Sequence, residues 1–200
     1  MAATNDPATA MERSVPGTGE RERHTIVAIV YDRPGVLNRV ASLTRARNFN
    51  IESLTVGQTE RSGISRMTIT LNGDAFAVEQ MTRQLQRLVD VVTVVSLPRE
   101  GTIRHELVLI KVSAPAAHRA EVLKAAELYK AALVDLGDDT VVVEYAGTQQ
   151  DVDSLIGILA GFGIREMVRT GAVAMSRGSA IVEIDDILRS GIVPAVPPSA

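Results

Sequence analysis

One order of secondary-structure elements occurs twice along the chain. Hydrophobic periodicity predicts strand, helix, strand, strand, helix, strand from His24 to Leu97, and a similar order begins again about 80 positions later at Glu106. This order is the split βαβ arrangement of ferredoxin-like folds. We therefore predict an α+β chain with two tandem ferredoxin-like βαββαβ-type domains. Its predicted parts are a disordered N-terminal arm at 1–23, a first domain at 24–98, a second domain at 102–178 and a tail at 179–200.

Apolar spacing sets the predicted boundaries of the elements. Strands are predicted at His24–Tyr31, Phe49–Val56, Ser65–Leu71 and Val91–Leu97, and then at Glu106–Val112, Ala132–Leu136, Thr140–Tyr145 and Ile164–Met175. Helices are predicted at Val36–Arg47, after the capping residue Asp74, at Ala116–Tyr129 and at Val152–Gly161. The residues predicted to share one face of the first helix are Val36, Leu37, Val40, Ala41 and Thr44.

The first predicted strand is apolar on both faces. Ile26, Ala28 and Val30 alternate with Val27, Ile29 and Tyr31 along it. In a two-layer domain the helices cover only one face of the sheet, so the other apolar face needs a second cover. A second copy of the chain, the neighbouring domain or another subunit is expected to supply it.

Composition excludes several classes of protein. The chain has no cysteine, which rules out disulfides, thiolate metal sites and a cysteine nucleophile. A formal net charge of −3 gives no basic signature of bulk nucleic-acid binding. No apolar run approaches the roughly 20 residues of a membrane span, and the first residues lack the apolar core of a secretory signal. We therefore expect a cytoplasmic protein.

Catalytic motifs are also missing from the sequence. The histidines His24, His105 and His118 are scattered and lack metal-ligand spacing, and no GxSxG, GxGxxG or P-loop occurs in a suitable context. Catalysis needs a nucleophile or base with an orienting partner, and the sequence offers none. We expect a protein that is not an enzyme.

The turn after the first strand is the main candidate for binding. Pro34 and Gly35 mark a tight strand-to-helix turn, and Gly35 has no Cβ to block its backbone. The polar end of a ligand can then lie on the unpaired amides of a helix N-terminus. The alternative interpretation is a capped turn in which Asp32 is the N-cap.

Several segments resemble one protein family. They are DRPGVLNRVASLTRARNFNIESLTV at Asp32–Val56, SRMTI at Ser65–Ile69, LVDVVTVVSL at Leu88–Leu97, HELVLIKV at His105–Val112 and FGIREMVRTGAVAMSRG at Phe162–Gly178. In these segments the chain resembles the small regulatory subunit of acetolactate synthase, also called acetohydroxyacid synthase, an enzyme of branched-chain amino-acid biosynthesis. The resemblance covers about Thr25–Gly178. The PGVL turn alone would indicate only an ACT domain, a widespread amino-acid-binding module.

The resemblance implies that the first domain is an ACT domain that forms a homodimer edge to edge and binds valine at the dimer interface. The effector-contacting turn of the family falls on Asp32, Gly35, Val36 and Leu37, and the contact from the facing protomer falls on Asn50 and Ile51. The resemblance also implies a partner, the large catalytic subunit, which carries thiamine diphosphate, Mg²⁺ and FAD. This chain itself is expected to need no cofactor and to hold no metal.

Two other functions fit parts of the pattern. A free-standing ACT-type amino-acid sensor could control another enzyme or a transcription factor, but it leaves the Phe162–Gly178 resemblance without a role. An RNA-binding module of the RRM type shares the βαββαβ order. RRM sheets carry stacking aromatics in their central strands, whereas TIVAIV and SRMTITL contain none.

Overall fold

The structure is a computed structural model, and it describes residues 22–46 and 50–184. In chain order its elements are β1 (Glu22–Tyr31), α1 (Val36–Ala46), β2 (Ile51–Gln58), β3 (Ile64–Gly73), α2 (Ala75–Leu85), β4 (Val91–Leu97), β5 (Thr102–Ser113), α3 (Arg119–Leu128), β6 (Ala132–Leu136), β7 (Thr140–Gly147), α4 (Gln149–Ala160), β8 (Ile164–Arg169) and β9 (Val173–Ser176). This order confirms the predicted α+β class with two βαββαβ-type units.

The N-terminal sheet has the strand order β2-β3-β1-β4, and each neighbouring pair is antiparallel. Helices α1 and α2 cover one face, where Val40 of α1 and Met81 of α2 pack with Ile26 of β1 and Ile69 of β3. Asp74 caps α2 as predicted, because its Oδ1 accepts the Ala77 amide at 2.7 Å.

The C-terminal sheet has the order β6-β7-β5-β8. Its helix-covered face packs Val108, Ile110 and Val143 against Val122 of α3 and Leu155 of α4. The predicted hairpin at Gly137 joins β6 to β7, with the Gly137 amide donating to the Thr140 carbonyl at 2.9 Å.

The prediction of one final strand at Ile164–Met175 is wrong. The segment forms two strands, β8 and β9, separated by a corner that contains Gly171 at φ +80°. Strand β8 pairs with Val108–Val112 of β5, whereas β9 pairs with Thr102–His105 at its beginning. This second pairing also explains why β5 begins at Thr102 rather than at the predicted Glu106.

Other boundaries differ by a few residues. Strand β1 begins at Glu22, two residues before the predicted His24, because Glu22 and Arg23 still pair with β3. Helix α3 begins at Arg119 rather than Ala116, because the amides of His118 and Arg119 both donate to the Pro115 carbonyl and form a turn there. Phe49 and the predicted arm and tail ends at 1–21 and 185–200 lie outside the described residues, and so does Arg47.

The neighbouring domain and the segment that follows it supply the second cover that β1 requires. On the face away from the helices, Val27, Ile29 and Tyr31 pack in a cluster with Ala174 of β9 and Ile184. All three β1 side chains are fully buried. Among the described helices, none is both long and apolar enough to cross a membrane.

Candidate functional site

The turn between β1 and α1 is built around Gly35. Its φ of +87° lies in the left-handed region that glycine adopts at little cost, and helix α1 begins at the next residue, Val36. The Arg39 amide donates to the Gly35 carbonyl at 3.0 Å, which closes the first helical turn. Gly35 therefore occupies the position before the helix, and the interpretation of Asp32 as the N-cap is wrong.

The backbone at Gly35 is open to its surroundings. A Cβ built on Gly35 would meet no atom within 4 Å, and the residue is exposed. The first amides of a helix have no intrahelical acceptor, and they carry the positive end of the helix dipole. The Asp32 side chain is exposed nearby, while the Asp32 amide donates to the Gly63 carbonyl at 2.8 Å. The turn thus presents amide donors beside one carboxylate.

A buried carboxylate holds this turn in place. Asp90, immediately before β4, is only 4% exposed and forms an ion pair with Arg39 of α1. Its other oxygen lies 3.9 Å from the Arg33 guanidinium, which also lies 4.7 Å from the centre of the Tyr31 ring. The Asp90 carbonyl accepts the Tyr31 amide at 2.9 Å. Asp90 therefore connects the end of β1, the turn and α1.

The predicted face of α1 is only partly correct. Val36 and Val40 are buried in the core, but Leu37 is 48% exposed and Ala41 is exposed. The helix turns about 100° per residue, so the buried stripe that Val36 and Val40 begin leaves Leu37 and Ala41 at its border. The Val36 side chain is thus part of the core, and its backbone amide donates to the Arg33 carbonyl at 3.4 Å. Leu37 keeps an apolar side chain available.

Asn50 and Ile51 lie at the opposite end of the same sheet. Ile51 pairs with Leu71 of β3, which in turn pairs with His24 of β1, seven residues from Tyr31. At about 3.3 Å per residue, Ile51 therefore lies about 23 Å along the strands from Tyr31, the residue that leads into the Gly35 turn. Asn50 is exposed, and Ile51 is half-buried against the helix-covered core. One chain brings Asp32, Gly35 and Leu37 together, but not with Asn50 and Ile51.

Strand β2 also contacts the C-terminal domain. The Thr55 hydroxyl donates to the Ala172 carbonyl at 2.9 Å, and Ser53 Oγ accepts the Ala172 amide at 3.4 Å. A Cβ on Gly171 would lie 2.7 Å from the Ser53 Cβ, so only glycine fits at this corner. The Arg66 guanidinium of β3 donates to the Ala174 carbonyl at 2.8 Å. The strand that begins at Ile51 therefore packs directly on the corner between β8 and β9.

Sequence reasoning missed both Asp90 and this corner. Asp90 and Arg39 are 51 positions apart, and no local spacing connects them. Gly171 lies inside an apolar run that reads as one strand, and a glycine inside a strand pattern was the only available signal of the break. Within the described residues, no group of three or more histidine, aspartate and glutamate side chains is placed to hold a metal ion.

The domains match two family models. An "AHAS small subunit-like ACT domain" matches residues 26–93, and "Small subunit of acetolactate synthase" matches residues 105–178. The βαββαβ sheet with its glycine turn therefore defines an ACT-domain protein with a regulatory role. The chain is 44% identical over 161 residues to a probable acetolactate synthase small subunit from Methanothermobacter thermautotrophicus, covering 80% of this chain and 96% of that one. We conclude that the chain belongs to the family of acetolactate synthase small subunits.

Two further comparisons agree. The acetolactate synthase small subunit of Mycolicibacterium smegmatis is 41% identical over 155 residues, which is 78% of this chain and 91% of that one. The crystal structure of the acetolactate synthase small subunit from Thermotoga maritima matches with a TM-score of 0.76 and 33% identity, covering 80% of this chain and 99% of that one. The similarity thus extends through both domains.

Proposed function

We propose that this chain is the regulatory subunit that activates the catalytic subunit of an acetolactate synthase and makes it sensitive to inhibition by valine. Family membership supports the pairing with a catalytic subunit. The valine site is proposed at the interface of an ACT homodimer. Thiamine diphosphate, Mg²⁺ and FAD are proposed to reside in the catalytic subunit, where they supply the chemistry.

The register of β2 carries this proposal. Among the described strands β2 is an edge strand with β3 on one side, and its end at Gln58 lies at the same end of the sheet as Gly35. If two copies pair β2 antiparallel about a two-fold axis, the Asn50–Ile51 end of one copy faces the Gln58 end of the other. The two groups that one chain separates by about 23 Å then meet across the interface.

The meeting groups have the chemistry to bind a zwitterionic amino acid. The first-turn amides of α1 after Val36 can donate to its carboxylate, and the Asp32 carboxylate can accept from its ammonium group. The Asn50 amide can do either from the partner copy. Leu37, which is 48% exposed, and half-buried Ile51 can enclose a small branched side chain. Each site would therefore take residues from both copies.

The experiment measures acetolactate formation by the matching catalytic subunit with and without this chain, across a titration of valine. The proposal expects higher activity with the chain present, and inhibition by valine only in the complex. Sedimentation of the chain alone, with and without valine, is expected to show a dimer.

Unchanged activity on adding the chain would contradict the role as an activating subunit. Activation without any response to valine would contradict the effector assignment alone. A chain that sediments as a monomer at all concentrations, with and without valine, would contradict the shared site.

A further inference from the structure

A polar cleft lies between the two sheets, away from the Gly35 turn. Its volume is about 630 Å³, and it is lined by the beginnings of β1 and β2, the end of β3, strand β5 and the Thr170–Ala172 corner. Ten of its twelve lining residues have polar side chains, which makes it unsuitable for an apolar ligand. Three of these are arginines, namely Arg23, Arg104 and Arg169.

Arg104 has only neutral partners within the described chain. Its Nε donates to the Thr25 hydroxyl at 3.0 Å, and its two other nitrogens donate to the carbonyls of Pro98 at 3.0 Å and Arg99 at 3.2 Å. Burial lowers the pKa of Arg104, and repulsion from the Arg99 guanidinium lowers it further. A guanidinium held in a fixed orientation without a carboxylate is well placed to bind an anion.

Arg169 keeps an unused donor on the other side of the cleft. Its Nε pairs with Glu106, and its Nη1 pairs with Asp153 at 2.8 Å. Its remaining nitrogen, Nη2, is buried and has no hydrogen-bond partner among the described residues. A buried donor that is left unpaired is costly, so a partner from outside the described chain is expected.

A second unpaired group lies in the same wall. Thr70 of β3 is only 5% exposed, and its hydroxyl also has no partner among the described residues. Thr70 faces away from the helices, toward the C-terminal domain, and lines the cleft together with Arg104 and Arg169. The two residues that carry these buried, unpaired atoms come from different domains, and both line one polar cleft.

We propose that this cleft binds a small oxyanion, a carboxylate or phosphate group, between Arg104 and Arg169 with Thr70 as an additional donor. The lining has three arginines against two glutamates, and Arg23 is already paired with Glu52 at 2.5 Å. Arg169 is paired with Glu106 and Asp153, so Arg104 is the arginine of this lining without a described carboxylate partner. A bound anion balances the charge of Arg104 and supplies acceptors for the unpaired donors.

The site touches both domains, so its occupancy would strengthen their association. Thr70 belongs to the N-terminal sheet, whereas Arg104 and Arg169 belong to the strands of the C-terminal sheet. The corner that contacts Ser53 also lines the cleft. This proposal does not depend on valine binding at the Gly35 turn, and its test uses the isolated chain without the catalytic subunit.

The test titrates the full chain with inorganic phosphate and, separately, with malonate, by calorimetry and by thermal unfolding. Sodium chloride at the same ionic strength is the control for screening. The proposal expects measurable heat and a higher unfolding temperature with at least one of the two anions, because a ligand that binds only the native state stabilises it. A response to malonate alone would assign a carboxylate ligand, and a response to phosphate alone would assign a phosphate ligand.

Two variants with matched controls locate the binding. Thr70→Val removes the unpaired hydroxyl but keeps the side-chain shape, and Thr68→Val makes the same change on the same strand outside the cleft. Arg104→Gln removes a cleft charge, and Arg87→Gln removes an exposed charge from the segment after α2. Each cleft variant is expected to weaken anion binding about tenfold, the effect of losing one charge-assisted hydrogen bond, whereas the controls bind normally.

Absence of any response beyond that of sodium chloride would overturn the proposal and leave a cleft filled only with water. Equal affinity in the wild-type chain, Thr70→Val and Arg104→Gln would overturn it as well, because the anion would then bind elsewhere.

Discussion

The guanidinium of Arg39 on α1 forms an ion pair with Asp90, which is only 4% exposed and lies immediately before β4. Through this pair α1, which follows the Gly35 turn, is attached to the edge of the sheet formed by β4. Because Arg33 approaches the same carboxylate at 3.9 Å, both arginines near the turn depend on one acceptor. The orientation of the candidate site is therefore set by a residue outside it.

Asp90→Asn tests this attachment. The substitution removes the negative charge but keeps the backbone carbonyl that accepts the Tyr31 amide. We expect a loss of about 1–3 kcal/mol in the free energy of unfolding, measured by urea denaturation. The reason is that two partly exposed arginines lose the charge of the buried Asp90 carboxylate. The control Glu79→Gln breaks the exposed pair with Arg83 and should cost about 0.3–0.5 kcal/mol. Equal losses in the two variants would show that Asp90 contributes no more than a surface pair.

Gly35→Asp is expected to abolish valine inhibition in the reconstituted complex while leaving activation in place. The change puts a negative charge where the carboxylate of the effector is proposed to lie. Gly35→Asn is the matched control, because asparagine and aspartate both tolerate a positive φ and have the same shape. The aspartate variant should need at least tenfold more valine than the asparagine variant for half-inhibition. The same valine response in both variants would contradict the proposed position of the carboxylate.

Asn50→Ala tests the contribution of the partner copy. Losing a hydrogen bond to a charged group costs about 1.5–3 kcal/mol, which corresponds to roughly 10–150-fold weaker valine binding. Calorimetry with valine and the inhibition curve of the complex both measure it. Gln150→Ala, an exposed amide on α4, is the control and should leave the valine response unchanged. Unaltered binding in Asn50→Ala would remove Asn50 from the proposed site.

Gly171→Ala tests the contact between β2 and the β8–β9 corner. Both Gly171 and Gly178 have a positive φ, so alanine is strained at either position, but only at Gly171 does the new Cβ meet another atom, Ser53 Cβ at 2.7 Å. We expect Gly171→Ala to be less stable than Gly178→Ala by about 1–3 kcal/mol in chemical denaturation, the usual cost of overpacking. Similar stability of the two variants would indicate that the corner moves freely away from β2.

Ile184→Ala tests the cover over the second face of β1. Ile184 is 9% exposed in the cluster with Val27 and Tyr31, whereas Ile181, three residues earlier, is 72% exposed. Truncating the buried isoleucine should cost about 2 kcal/mol, the low end for core isoleucines, and the exposed one less than about 0.5 kcal/mol. Thermal and urea unfolding measure the difference. Equal stability of the two variants would mean that this segment contributes no cover.

Much of the fold follows from local patterns. Alternation through Met67, Ile69 and Leu71 predicted β3, and Asp74 predicted the start of α2, because each pattern is decided by neighbours in sequence. The apolar residues on both faces of β1 predicted a second cover, and the C-terminal domain and the segment after it supply it.

The remaining features depend on contacts between distant positions. The break at Gly171 arises because the beginning and the end of β5 take different partners, β9 and β8. The pairing of Arg39 with Asp90 and the meeting of Arg104, Arg169 and Thr70 join residues from separate elements. No periodicity within one element can reveal such encounters, because they are created by the arrangement of the elements. The placement of Asn50 at the end of the sheet away from Gly35 likewise depends on the register of three strands.

The wall formed by Ala174 and Ile184 has a consequence for engineering. An ACT domain that is truncated at the end of β4 and fused to another protein would expose an apolar surface at Val27, Ile29 and Tyr31. Such a fragment is expected to aggregate unless the fusion partner covers this surface. The N-terminal ACT domain can be transferred only together with β9 and Ile184, which follow it after the length of one further domain.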